Sequence, residues 1–185
     1  LHRSDDIIVV DKPAGMLVHE STTVRLNTVD KYLGRAGFAE AEPVHRIDRE
    51  TSGVVVCAGH RAIVPDLRGV FATGRPDKIY RALVLDPDAR WRPGERSTID
   101  RPIGLVDESV LGMRMGPGDL DAVTHVIVRR RLQSDFGPMA DLEVRIETGR
   151  QHQIRVHLAL EGTPIAGDKL YTFDDQFFID IYDHP

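Results

Sequence analysis

Apolar and polar positions along the chain follow two periods, and the switches between them outline the elements. Ile7-Ile8-Val9-Val10 and Val54-Val55-Val56-Cys57-Ala58 are unbroken apolar runs of strand length, as expected for buried strands. From Lys78 to Val84 the chain alternates: Lys78, Tyr80, Ala82 and Val84 share one face, and Ile79, Arg81 and Leu83 the other. Residues 122–132 predict a strand with Val123, His125, Ile127 and Arg129 on one face. The turn Asp135-Phe136-Gly137-Pro138 joins it to a second strand over 139–146, which makes an antiparallel hairpin. Helical spacing occurs three times. Residues 27–34 predict a short helix, with Asn27 as cap and Gly34 as terminator. Residues 62–72 place Leu67 and Phe71 four apart, and Pro65 fits only in a first turn, so this helix starts as late as Val64. Residues 151–160 put Ile154 and Leu158 on one face, with Gly162 where a C-terminal cap belongs. The sum is an α+β fold: a mostly antiparallel, mixed sheet with flanking helices. Residues 85–122, rich in Pro, Gly and Asp, read as connecting structure, with a mobile loop from Gly112 to Gly118.

Composition narrows the class. At 185 residues, with 41% apolar and 29% charged, the chain suits one soluble globular domain. No apolar run approaches the length of a membrane span, and the start shows no signal-peptide pattern. Leu1 in place of an initiator Met suggests an excised or processed chain. The single cysteine, Cys57, excludes an internal disulfide framework and fits a reducing cytoplasm. A net charge of −5 argues mildly against a nucleic-acid partner. The cations are 20 Arg against 4 Lys, and Arg suits bidentate phosphate contact, although base composition of the gene explains the bias equally well.

The densest chemistry lies in His45-Arg46-Ile47-Asp48-Arg49-Glu50-Thr51-Ser52-Gly53, just ahead of the second apolar run. Asp48 sits between two guanidiniums, which favour its ionised form, on a loop anchored by a core strand. An ionised, partly desolvated carboxylate is a usable nucleophile, whereas the bland reading is an Arg–Asp pair closing a turn. Lys12, in the turn after the first strand, reads as a solvated residue in preference to a phosphate contact. Arg129-Arg130-Arg131 reads as an exposed strand end in preference to a phosphate site. His152 and His157, five apart, do not share a helical face as a metal pair would.

His-Arg-Ile-Asp-Arg-x-Thr-Ser-Gly resembles the signature of the RluA-type pseudouridine synthases. Three further segments are similar to the same family in the same order. They are residues 11–19, Asp-Lys-Pro-Ala-Gly-Met-Leu-Val-His; residues 78–84, Lys-x-Tyr-x-Ala-x-Val; and residues 148–158, Thr-Gly-Arg-x-His-Gln-Ile-Arg-x-His-Leu, which run on into Pro164-Ile165-Ala166-Gly167-Asp168-Lys169-Leu170-Tyr171. The resemblance implies the catalytic-domain fold of that family, with a central RNA cleft. It also implies Asp48 as the catalytic residue, Arg155 bonded to it, Tyr80 against the target base, and Ile154 packed beside that base. Arg46, Arg49 and Arg150 are further candidates for substrate contact. The implied reaction isomerises uridine to pseudouridine in structured RNA, ribosomal or transfer. It needs no cofactor, metal or nucleotide.

The expected organisation is one catalytic domain over residues 1–185, without a separate N-terminal RNA-binding domain and short at its C-terminal end. There the family continues with a further strand, whereas this chain ends in an acidic, aromatic stretch, Phe173 to Tyr182, then Asp183-His184-Pro185. A cytoplasmic monomer is expected. Two other readings stand beside this one. A glycosidase needs a second, separately placed carboxylate, which the sequence does not supply. A catalytically silent RNA-binding module of the same fold is the nearer alternative.

Overall fold

A computed structural model describes residues 2–21, 24–73 and 76–183. The chain forms two compact units, Leu1–Pro76 and Asp77–Pro185. His184 and Pro185, part of the expected acidic tail, lie outside the described residues.

The first unit contains β1 (His2–Arg3), β2 (Ile7–Lys12), α1 (Val29–Arg35), β3 (Glu42–Pro43), β4 (Gly53–Ala58), a 3₁₀ turn (Arg61–Ile63) and α2 (Val64–Ala72). Its antiparallel sheet runs β1-β2-β4-β3. The two unbroken apolar runs are β2 and β4, paired with Ile8 opposite Cys57 and Val10 opposite Val55. β4 needs no alternation because from Val55 to Ala58 residues of both its faces pack into apolar clusters. Ile8, Val55 and Cys57 pack with Val18, Val29 and Leu33 on one side. Val56 and Ala58 pack with Val44, Val64, Leu67 and Phe71 on the other. Cys57 is buried, and burial pushes its thiol up to about 12, so it is an inert core residue.

Two helix ends differ from expectation. Thr28, not Asn27, caps α1, its Oγ1 accepting the Lys31 N–H at 3.4 Å. Asn27 instead donates from Nδ2 to the Gly15 carbonyl at 3.1 Å. The helix also runs past Gly34 to Arg35, and the chain leaves through Gly37 at φ +89°. α2 begins at Val64 with Pro65 in its first turn, where a missing N–H costs nothing.

The second unit holds β5 (Ile79–Leu85), β6 (Arg96–Asp100), β7 (Ile103–Leu105), β8 (Met115–Pro117), β9 (Val123–Ser134), β10 (Gly137–Ile146), α3 (Gln153–Leu160) and α4 (Asp175–Asp183). Its main sheet, β5-β10-β9-β6, is antiparallel throughout, and β7-β8 is a separate pair. The β9–β10 hairpin and the alternation of β5 are as read from the sequence. Ala82 and Val84 turn inward with Val126, Val128, Ala140, Leu142 and Val144, and Trp91 and Leu158 close over them. Trp91 is fully buried, its Nε1 donating to Thr163 Oγ1 at 2.9 Å.

The opposite face of this sheet is a lattice of charge pairs. Arg81 and Arg130 both engage Asp141, and Arg129 and Arg145 both engage Glu143. Arg131 turns to the buried Asp86, Nε to Oδ2, at 3.2 Å. Arg129, Arg130 and Arg131 are all exposed, as expected of them. Each has a carboxylate partner: Glu143 and Asp141 on β10 for Arg129 and Arg130, and Asp86, just past β5, for Arg131. Arg81 and Arg130 stay largely exposed, so solvent screens these pairs and they contribute little to stability.

The stretch Gly112–Gly118 is not wholly a loop. Met115–Pro117 form β8, paired with β7, and Met115 and Ile103 are buried. Gly118 makes this possible: a Cβ there would lie 2.4 Å from the Gly104 amide nitrogen. Gly118→Ala should therefore destabilise the protein by about 1–3 kcal/mol. Gly34→Ala, in α1 with nothing within 4 Å of the added carbon, should stabilise it by about 0.5–1 kcal/mol. Urea unfolding midpoints of the two variants should move in opposite directions.

Candidate active site

In the first unit the Asp48 loop is fixed from several sides. Val44 is buried and donates its N–H to the Val56 carbonyl at 3.1 Å. His45 Nε2 accepts the Val56 N–H at 2.9 Å, and its ring stacks on Phe71 with centroids 4.4 Å apart. Ile47, half-buried, packs against the core cluster that includes Val55 and Leu33. Thr51 N–H closes a turn onto the Asp48 carbonyl at 3.1 Å, and Gly53, at φ +124°, lets the chain enter β4. Between these anchors Asp48 is half-buried, while Arg46 and Arg49 are exposed. Arg49 directs Nε to Glu50 at 3.1 Å.

Lys12 departs from both readings made of it. It is only 1% exposed, neither solvated nor available to a phosphate. Its ammonium donates to the carbonyls of Pro13 (2.9 Å), Met16 (2.7 Å) and Arg49 (3.0 Å), one for each proton. Gly15 N–H meets the same Arg49 carbonyl at 2.9 Å. The turn after β2 and the residue following Asp48 are thus held on one buried cation. Burial pushes the Lys12 pKa down, and the negative charges of Glu50 and Asp48 oppose that shift.

In the second unit, Tyr80 is half-buried on the inward face of β5, and Ile154 packs against the same core. Arg155, next on α3, is clasped by Asp168. Its Nε donates to Oδ2 at 2.7 Å and an Nη2 hydrogen to Oδ1 at 2.9 Å. The Asp168 Oδ1 also accepts the N–H groups of Leu170 (2.9 Å) and Tyr171 (3.2 Å). Burial alone would raise the Asp168 carboxyl. The Arg155 hydrogen bonds and charge, with the two backbone N–H groups, outweigh burial and hold it below the usual carboxylate range. The Arg155 guanidinium lies 5.0 Å over the Tyr171 ring. The Tyr171 hydroxyl accepts the Met115 N–H at 3.0 Å and pairs with His152 Nδ1 at 2.8 Å; burial pushes it up to about 12.

The loop before α3 is held by a polar relay that the sequence did not disclose. Gln153 Oε1 accepts from Thr148 Oγ1 (2.7 Å) and the Arg150 N–H (3.1 Å), and Nε2 donates to the Val123 carbonyl (2.9 Å) and Thr124 Oγ1 (3.0 Å). Thr124 then donates to His157 Nδ1 at 2.8 Å, which leaves Nε2–H to donate to the Arg101 carbonyl at 3.0 Å. Arg150 itself is exposed, its Nε on the Asp121 carbonyl at 3.0 Å. His157 is fully buried with both ring nitrogens in use, so it is part of the frame. Among the described residues no group of three or more His, Cys, Asp or Glu is placed to hold a metal ion.

Burial, above all, pushes the His157 pKa down. The unfolded chain then takes up its proton at a higher pH than the folded one. Stability is expected to fall as pH drops through about 6.5 toward the lower folded value, by at most about 1.4 kcal/mol per pH unit from this group. Urea unfolding of wild type and His157→Gln between about pH 7.5 and 5.5 should show the wild type losing stability more steeply.

The first unit thus carries Asp48 on a loop ahead of a core strand, and the second carries Tyr80 on a strand and, on a helix, Arg155 clasped by Asp168. The family model described as RNA pseudouridylate synthase matches residues 6–160, and the chain belongs to that family, in its RluA-type branch. An uncharacterized RNA pseudouridine synthase of Chloroflexus aurantiacus is 42% identical over 168 residues, 87% of this chain and 50% of the relative. Ribosomal large subunit pseudouridine synthase D of Xanthomonas campestris pv. campestris is 36% identical over 176 residues, 92% of this chain and 50% of the relative. The chain thus spans about half the length of these curated relatives. Among solved structures, human RNA Pseudouridylate Synthase Domain Containing 1 superposes with a TM-score of 0.79 at 26% identity, covering all of this chain and 71% of that one. No helix among the described residues is long and apolar enough to cross a membrane.

Proposed function

We propose that this domain converts uridine to pseudouridine in structured RNA, ribosomal or transfer, with Asp48 as nucleophile. The observation that carries this reading is the loop itself. The loop that bears the half-buried Asp48 carboxylate is fixed by buried Lys12, through the Arg49 carbonyl, on one side and by core strand β4, through His45, on the other. A nucleophile gains its rate from such placement.

A uridine inside folded RNA hides its glycosidic bond, so the nucleotide is extruded first, at a cost of a few kcal/mol. Arg46 fills the vacated stack or holds a phosphate, and Arg49 and Arg150 contact the RNA. Asp48 attacks the anomeric carbon or the uracil ring. The C–N glycosidic bond breaks and N1 takes up a proton, the base turns, and C5 bonds to the sugar carbon as the bond to Asp48 breaks and frees its carboxylate. The C5 proton then leaves to Tyr80 or water. Ile154 packs beside the base, and Arg155 is the cation that stabilises charge at the reacting centre. No redox change occurs and no group is gained, so no cofactor is needed. The reading extends to a monomer at work in the cytoplasm.

Release of the C5 hydrogen provides the test. RNA labelled with tritium at uracil C5, drawn from total cellular RNA, should lose label to water in proportion to enzyme. A folded chain that retains RNA on a filter yet releases no tritium would establish the silent binding module instead.

A further inference from the structure

We infer that Asp168 is a positioning residue for the reaction, holding Arg155 in register with the strand that carries Tyr80. The inference rests on the roles proposed above for Tyr80 and Arg155.

The segment before Asp168 is an added edge on β5. Leu85 N–H donates to the Pro164 carbonyl at 3.0 Å, Ile165 bridges Val84, and Ala166 N–H donates to the Leu83 carbonyl at 2.8 Å. A turn, Asp168 N–H to the Ile165 carbonyl at 3.0 Å, then swings the carboxylate toward α3. Asp168 therefore joins two elements. Its backbone is tied to β5, a few residues from Tyr80, and its side chain grips Arg155 on α3.

The chemistry of the grip shows what the charge is for. The two backbone donors, Leu170 and Tyr171, both go to Oδ1, which a neutral asparagine also offers. Oδ2 accepts the Arg155 Nε–H at 2.7 Å. A local turn needs only the first oxygen; the second, and the buried negative charge, answer the guanidinium. The clasp takes the Nε–Nη2 edge of Arg155 and so sets where the opposite edge of that rigid plane points. The Tyr171 ring beneath the guanidinium, itself held by Met115 and His152, blocks tilting out of the plane.

Asp168→Asn is the incisive variant. It keeps Oδ1 and the turn, but places an NH₂ against the Arg155 Nε–H. Single-turnover tritium release should fall about 10–100-fold, as misplacement of a reacting group by an ångström does. RNA affinity by filter binding should stay within about threefold and the thermal midpoint within a few degrees. In an Arg155→Lys background, which lacks the fork, the same change should cost less than about threefold, because residues acting as one unit are not additive. The ¹⁵N-edited signal of the Arg155 Nε–H, slowed in exchange by the clasp, should be lost in Asp168→Asn.

A rate for Asp168→Asn within about twofold of wild type overturns the inference while the proposed function stands. So does a rate loss matched by an equal loss of RNA binding or by unfolding. No release by the wild type at all overturns the proposed function, and this inference with it.

Discussion

Asp48→Asn is expected to end tritium release, with a rate lowered on the order of 10³-fold or more, while the domain still folds and still binds RNA. The substitution keeps the size of the side chain and removes the nucleophilic oxygen charge on which the proposed first step depends. The loop should hold its shape, because its anchors are other atoms. These are the Lys12 bond to the Arg49 carbonyl, the Val56 N–H on His45, and Ile47 against the core cluster. The loss should therefore appear in kcat and leave RNA affinity and the urea midpoint nearly unchanged. Retention of a tenth of the wild-type rate would place the nucleophile elsewhere, and a matching fall in stability would return Asp48 to the role of a structural ion.

Lys12→Met should have the second largest effect, and on both measurements. Methionine fills the volume of the lysine but donates nothing. The carbonyls of Pro13, Met16 and Arg49 then lose the group that holds them together in a buried site. An unsatisfied buried acceptor costs about 1–3 kcal/mol, so a loss of about 3–5 kcal/mol in urea unfolding is expected after partial rehydration. The Arg49 carbonyl belongs to the residue after Asp48, and its release should also lower the rate about 10²-fold. Lys12→Arg should rescue little, since a planar fork cannot aim at three carbonyls around a point charge. Wild-type stability and rate in Lys12→Met would show that water replaces the ammonium without disturbing the loop.

Local patterning disclosed most of the elements, because their burial is local. β5 alternates since one face packs on Trp91 and Leu158, and β4 does not since residues of both its faces pack into apolar clusters. What stayed hidden depends on partners far along the chain. Asn27 and Thr28 are equally good caps on paper, and the choice is made by the Gly15 carbonyl, twelve residues back, which takes Asn27. Lys12 looked like a turn residue because one of its acceptors comes from Arg49 and the others from the fold of the turn itself. Glycines at 112–118 read as a loop, whereas Gly118 is required by a backbone approach to Gly104 that no local rule shows. Of the candidate site, the Asp48 motif, Tyr80, Ile154 and Arg155 were legible as residues. The supports were not: Gln153, His157, Asp168 and Tyr171 earn their places through hydrogen bonds across the second unit.

The acidic outward positions of β10 bear on how a polyanion would experience this protein. Arg81, Arg129, Arg130 and Arg145 share two carboxylates, Asp141 and Glu143, so that group keeps a formal excess of two positive charges. A nucleic acid laid there would still shed condensed counterions, but fewer than four unpaired arginines would release. Pairing leaves the count of charges as it is: the molecule carries −5 because its 29 acidic residues outnumber its 24 basic ones.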